Sequence, residues 1–314
     1  MGERDHEAGV RRALQQVWLD GHSPVVVRVR SELVRRPQPW HGVSARKLAP
    51  KEERPPLARV ITPNGTAARL YLAALFEAHC TTRRGDRPVN RRPLIADDRT
   101  NEGWVDLVGL KASASRPGAL TASTPRDNRV RQLKSALVAL SSDEVRLVEL
   151  PRRGAASDKF ESFRVLHEGG SAGRANDRPY TVPTETESPG LDLNSAFFLK
   201  GWHYVLTDVE ISAWLALHEL RRMFPGSYDS EGVYLSGDER SAHFCLSKEI
   251  TPALNNLVAF GLADVERDDR RRPDGTFEDV SEGEAPLPNR FRLSDAGLGR
   301  AAIDIVTAVL RAQI

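Results

Sequence analysis

The chain has 314 residues, 40% of them hydrophobic and 28% charged, a length that predicts two compact domains and a composition too apolar for disorder and too varied for a fibre. Its longest apolar stretches, at 24–27 and 136–140, fall far short of the ~20 residues of a membrane span, the N-terminus has no signal-like apolar run, and Cys80 and Cys245 stand alone, which predicts a cytoplasmic protein with neither a disulfide framework nor a Cys-based zinc unit. The net charge of +2 hides a bipolar chain, for residues 1–180 hold 32 Lys+Arg against 21 Asp+Glu (+11) and residues 181–314 hold 13 against 22 (−9), as if a polyanion-binding half were joined to one with another task.

Residues 5–18 read as an amphipathic helix with Val10, Leu14, Val17 and Trp18 at helical spacing, and 25–29 reads as a short strand. Five prolines between 35 and 56 predict an irregular stretch, so 1–56 is expected to be a lead-in helix, strand and Pro-rich linker. A basic domain is expected over 57–168. It opens with helices at 67–80 and 103–110, and Thr124-Pro125 then supplies an N-cap and a first-turn proline for a third helix at 126–140. Val130, Leu133, Leu137 and Leu140 give that helix one apolar stripe and turn Asn128, Arg131, Gln132 and Ser135 outward. Strands at 145–150 and 160–166 follow, around a turn at 151–158.

The Gly-, Ser-, Pro- and Thr-rich stretch 169–190 is expected to be a flexible linker to an acidic domain over 191–314. Thr207 and Glu210 form a capping box for a helix at 208–223, helices at 236–244 and 248–260 follow, and Gly261 suits a left-handed cap. Strands at 262–267 and 290–293 then flank a long polar loop, and Ser294-Asp295 starts a last helix to 312. Leu-Val-Ala-Leu at 137–140 and Leu-Val-Ala-Phe at 257–260 make a weak internal repeat.

Three helices and a hairpin, twice over, resemble the winged-helix family, and the run Leu-Val-Ala-Phe-Gly-Leu-Ala-Asp-Val at 257–265 looks like the end of a recognition helix turning into a wing. The resemblance covers roughly 60–168 and 195–312, and the connection at 83–102 is long for it. It implies an α+β, mainly helical fold of two winged-helix domains joined by a flexible linker, with the third helix in the DNA major groove and the wing on phosphates. Mapped onto the first copy, helix 126–140 is the reader and 151–159 the wing.

Asn128, Arg131 and Gln132 are the side-chain types that pair with base edges, and Ser135 shares their face. Arg126, Arg129 and Lys134 flank them, and Arg152, Arg153 and Lys159 sit in the wing, where cations neutralise phosphate. A merely solvated helix face is the competing explanation, and the basic half favours DNA. The second third-helix offers Lys248, Glu249, Asn255 and Asn256 with no net charge, and its turn sets 270–272 (Arg-Arg-Arg) among acidic residues. The acidic half is therefore expected to carry a homodimer contact, with Ile305, Val309 and Leu310 on its last helix.

No phosphate-loop or dinucleotide glycine motif occurs, and His218-Glu219 meets Arg222 where a zincin needs its second His. His79 beside Cys80 and the Trp202-His203-Tyr204 run read as packing. The sequence thus predicts a non-enzymatic double-stranded DNA-binding protein without cofactor or metal, either a transcriptional regulator or a plasmid-type replication initiator. A tandem winged-helix adaptor of a chromosome-organising or plasmid-maintenance complex is the alternative, and a nuclease a more distant one.

Overall fold

Val10, Leu14 and Val17 recur at helical spacing, and α1 (Glu3–Asp20) buries all three. The computed structural model describes residues 3–42, 48–62, 65–96, 102–110, 124–151, 158–170, 177–187, 189–268, 270 and 287–312. The protein is α+β and mainly helical, with short antiparallel strands.

The N-terminal segment is built into the core. β1 (Val26–Arg30) pairs antiparallel with β4 (Gly190–Asn194), and Val27 and Val29 lie opposite Leu193 and Leu191, all four buried on one face. Across the same ladder Arg28 and Asp192 form a 2.9 Å ion pair on the outer face. Alternation of apolar and charged letters therefore sets which side of this ribbon is covered.

The basic half is organised around α3 (Ala67–Thr81), buried from Ala67 to Cys80 except at Arg69, against which α4 (Trp104–Val108) and α5 (Pro125–Ser141) pack. α2 (Pro56–Val60) precedes it. After α5 the strand expected at 145–150 is reduced to β2 (Val148–Glu149), because Arg146 adopts φ +51° and turns its guanidinium to Asp177. Its partner is equally short: 158–161 forms the single helical turn α6 (Asp158–Glu161), and only β3 (Arg164–Val165) joins the ladder.

The acidic half has, like the basic one, a helix followed by a two-stranded hairpin. α7 (Ala196–Leu199) and α8 (Trp202–Val205) lead into α9 (Asp208–Met223), whose Thr207 Oγ1 accepts from the Glu210 amide while Glu210 accepts from the Thr207 amide, the expected capping box. α10 (Pro225–Glu231) follows, and the helix expected at 236–244 is a single π-helical turn at Glu239–His243. α11 (Ile250–Ala259) packs on α9 and ends at Gly261, whose φ of +72° is the left-handed cap that a residue with a Cβ resists. β5 (Ala263–Glu266) and β6 (Arg290–Leu293) form the hairpin, and Val233 adds a bridge to Phe291 at its edge. The last helix is broken at 299–301 into α12 (Asp295–Leu298) and α13 (Ala302–Ala312).

Aromatic rings tie the halves together. Phe198 stacks on Phe76 of α3 at 4.7 Å, and its neighbour Phe197 stacks on Trp214 of α9 at 4.4 Å, so α7 is wedged between the two central helices. Buried side chains from Val10 to Ala302 form one continuous cluster. The flexible linker expected over 169–190 is, over 177–187, a packed segment with Tyr180 and Val182 each 1% exposed. The reason is a buried cation: Arg30 reaches Glu168 at 2.7 Å, Glu187 at 2.8 Å and the Thr181 carbonyl at 3.1 Å. Removing one partner of such a buried pair costs about 3–5 kcal/mol, which holds the segment down although its composition forms no regular element.

Candidate nucleic-acid interface

α5 is fixed before it presents anything. Thr124 accepts at 3.1 Å from the Asp127 amide, and the Asp127 carboxylate accepts at 3.0 Å from the Thr124 amide, so the first turn is closed from both sides. This hydrogen bonding, the hydroxyl's first, holds the Asp127 carboxyl below the ordinary carboxylate value. Leu133, Ala136, Leu137 and Leu140 are buried against α3 and α4, as the apolar spacing requires.

The outer face separates the predicted residues by role. Arg126, Arg131 and Ser135 are exposed, and Asn128, Arg129, Gln132 and Lys134 are half-buried. Arg129 donates from Nε to the Leu110 carbonyl at 3.1 Å, so it ties α5 to the end of α4. Lys134 and Lys159 both stand over the Phe160 ring, at 5.4 and 4.8 Å from its centroid, which brings the hairpin beside the helix. Arg131 donates to Asn128 Oδ1, one turn back. Arg152 and Arg153 lie outside the described residues.

Two grooves run along α5. The larger, about 970 Å³, has Asn128, Arg131, Gln132 and Ser135 on one wall and Lys51, Arg59, Thr62 and Thr66 on the other. The smaller, about 530 Å³, lies on the opposite flank and is lined by Ile95, Val130 and Lys134. Arg131, Ser135 and Val138 line both, so these three, at spacings of four and three, form the crest of a ridge. Val138 is 52% exposed there, an apolar side chain in a position that the sequence reading left out. Its distance of seven residues from Arg131 was the available signal, because two helical turns return to one face. Lys51, Arg59, Thr62 and Thr66 carried no such signal, since they come from a separate stretch of chain.

In the second half α11 turns Asn256 inward, where it donates to Glu210 at 2.8 Å and so braces α11 on α9. Lys248, Glu249 and Asn255 are exposed. Arg270 is held by Asp268 at 2.9 Å, and this hydrogen bonding pushes the Asp268 carboxyl far down. Residues 271 and 272 lie outside the described residues.

The other groups singled out in the sequence are in the interior. His79 donates from Nδ1 to the Leu75 carbonyl and accepts at Nε2 from the Arg28 amide. Trp202 donates to the Leu298 carbonyl, His203 to the Leu107 carbonyl and Tyr204 to the Glu7 carbonyl. Among the described residues no group of three or more His, Cys, Asp or Glu side chains could hold a metal ion, and no helix is long and apolar enough to cross a membrane. No protein-family model, curated protein or solved structure matches the chain.

Proposed function

We propose that the protein binds double-stranded DNA sequence-specifically through α5, as a cytoplasmic transcriptional regulator or plasmid-type replication initiator built from two winged-helix units. One observation carries this reading: α5 stands as a ridge between two grooves, with Arg131 and Ser135 on the crest and Asn128 and Gln132 beside it, in the half of the chain whose charge is +11. A helix about 10–12 Å across suits a major groove about 12 Å wide where a groove runs along each flank, as one does on either side of α5 among the described residues. On the crest Arg131 pairs with guanine N7 and O6, and Val138 meets a thymine methyl. In this reading Arg126, Lys134 and Lys159 neutralise phosphates on either side.

The second unit is assigned to self-association. Asn256 is committed to Glu210, which leaves α11 poorly equipped for bases, and Leu310 on α13 is 52% exposed. Selection of bound duplexes from a random pool tests the reading. The intact protein enriches one motif, and Arg131→Ala loses about 1–3 kcal/mol on it and relaxes the preference at one base pair. Enrichment of the same motif with unchanged preference by Arg131→Ala contradicts α5 as the reader.

A further inference from the structure

A second cavity, of about 460 Å³, opens where the stretches 32–38, 52–59 and 169–178 meet. Five guanidinium groups line it, those of Arg35, Arg36, Arg54, Arg59 and Arg178. Three of them are already paired: Arg35 with Glu239 at 3.2 Å, Arg36 with Glu53 at 3.0 Å and Arg178 with Glu32 at 3.1 Å. Arg54 and Arg59 are bonded to backbone carbonyls instead, Arg54 to Ala49 at 2.8 Å and Arg59 to Arg54 at 2.6 Å and to Glu144 at 3.0 Å. Among the described residues neither has a carboxylate within ion-pair distance. Partial burial, and then the neighbouring Arg36, lower the Arg59 pKa against the pull of Glu53. Among the described residues Arg59 thus has no carboxylate in contact, although Glu52 and Glu53 line the same cavity and act on it from a distance.

Two glycines form the far wall. Gly170 has φ +59°, and a Cβ there would lie 2.7 Å from the Val145 carbonyl oxygen and 3.6 Å from Arg59 Nη1. A Cβ on Gly169 would lie 2.2 Å from Glu32 Oε2 and 2.8 Å from Arg178 Nη2. Gly169 therefore leaves room for the Glu32–Arg178 pair at the rim, and Gly170 lets the chain turn against the Val145 carbonyl beside Arg59.

We infer that this cavity binds a phosphoryl group, held by Arg54 and Arg59 with Arg36 and Arg178 at its edges. Guanidinium forks that converge from separate stretches of chain match the several acceptor oxygens of a phosphate better than the two of a carboxylate. Two sources have that chemistry. Arg59 also lines the larger groove along α5, so a backbone phosphate of bound nucleic acid is one, and a free phosphorylated small molecule is the other. The cavity itself is independent of the reading of α5.

Inorganic pyrophosphate titrated into the full chain by calorimetry, at constant ionic strength, tests the inference. Saturable binding at one site is expected, weakened about tenfold or more by Arg59→Ala and by Arg54→Ala and unaffected by added acetate. Should Arg59→Ala lose its fold by circular dichroism, Arg178→Ala, whose side chain is 48% exposed, replaces it and weakens binding in the same direction. No saturable binding by the native chain, or equal affinity in the folded variants, overturns the site. A labelled duplex in the same cell separates the sources: displacement of the duplex by pyrophosphate identifies a backbone phosphate, and simultaneous binding identifies a small molecule. Pyrophosphate binding without any duplex binding leaves this site standing and removes the DNA reading instead.

Discussion

Four histidines sit inside the protein as neutral imidazoles. Burial pulls His79, His167 and His203 down to about 4 and His218 down to about 3, from an ordinary value of 6.5. His203 donates from Nε2 to the Leu107 carbonyl and has no partner at Nδ1, so a second proton would place an unpaired charge among aromatic rings. Groups whose pKa is lowered on folding contribute stability that is present above the unfolded value and is lost as pH falls toward the folded one. Asp208 acts in the opposite sense, because burial raises its carboxyl to about 6, and its protonation adds stability below that value. Burial raises Glu77, Glu102 and Glu168 as well and lowers His6, so the overall slope is a balance and the histidine part is read from a single variant. Between about pH 6.5 and about pH 4 the native chain should lose stability relative to His218→Phe, measured as the difference between their unfolding midpoints. A difference between the two midpoints that stays constant over this interval contradicts the neutral assignment.

At the scale of elements, α5 shows how a repeated pattern divides its labour. The stripe Leu133, Ala136, Leu137 and Leu140 fixes the helix on α3 and α4, and that fixing alone determines that Arg131 and Ser135 face outward. Leu137 is fully buried, and Leu137→Ala should cost about 2–5 kcal/mol by chemical denaturation while Ser135→Ala costs little. Equal effects would mean that the two faces are not distinguished as described. The third helix and its cap were legible because Thr124, Pro125 and the 3-4-3 spacing are local signals, each with its own mechanism. The strands after it were not, because the left-handed Arg146 and the helical turn at 158–161 answer to partners distant in sequence, among them Asp177. Val138 was missed for a different reason. A valine beside a leucine stripe reads as core until the packing of α3 and α4 leaves it uncovered.

Over the whole molecule, the contrast between a basic and an acidic half was visible in the letters, and the way the halves are joined was not. Glycine, serine and threonine at 169–190 signal the lack of a regular element, and lack of packing is a separate matter that Arg30, Tyr180 and Glu187 decide. In the same way β1 pairs with β4 across more than 150 residues of chain, a contact that no window of sequence contains. The opposing groove wall of Lys51, Arg59, Thr62 and Thr66 comes from the stretch that the composition marks only as an irregular linker and its sequel.

If the α5 ridge holds duplex DNA as proposed, its phosphate contacts release condensed counterions. The affinity of the full chain for one duplex, measured across a salt series, tests it most directly. If about 4–7 phosphates are neutralised, log affinity falls against log salt with a slope of about −4 to −6. A flat response, or no saturable binding at low salt, contradicts it.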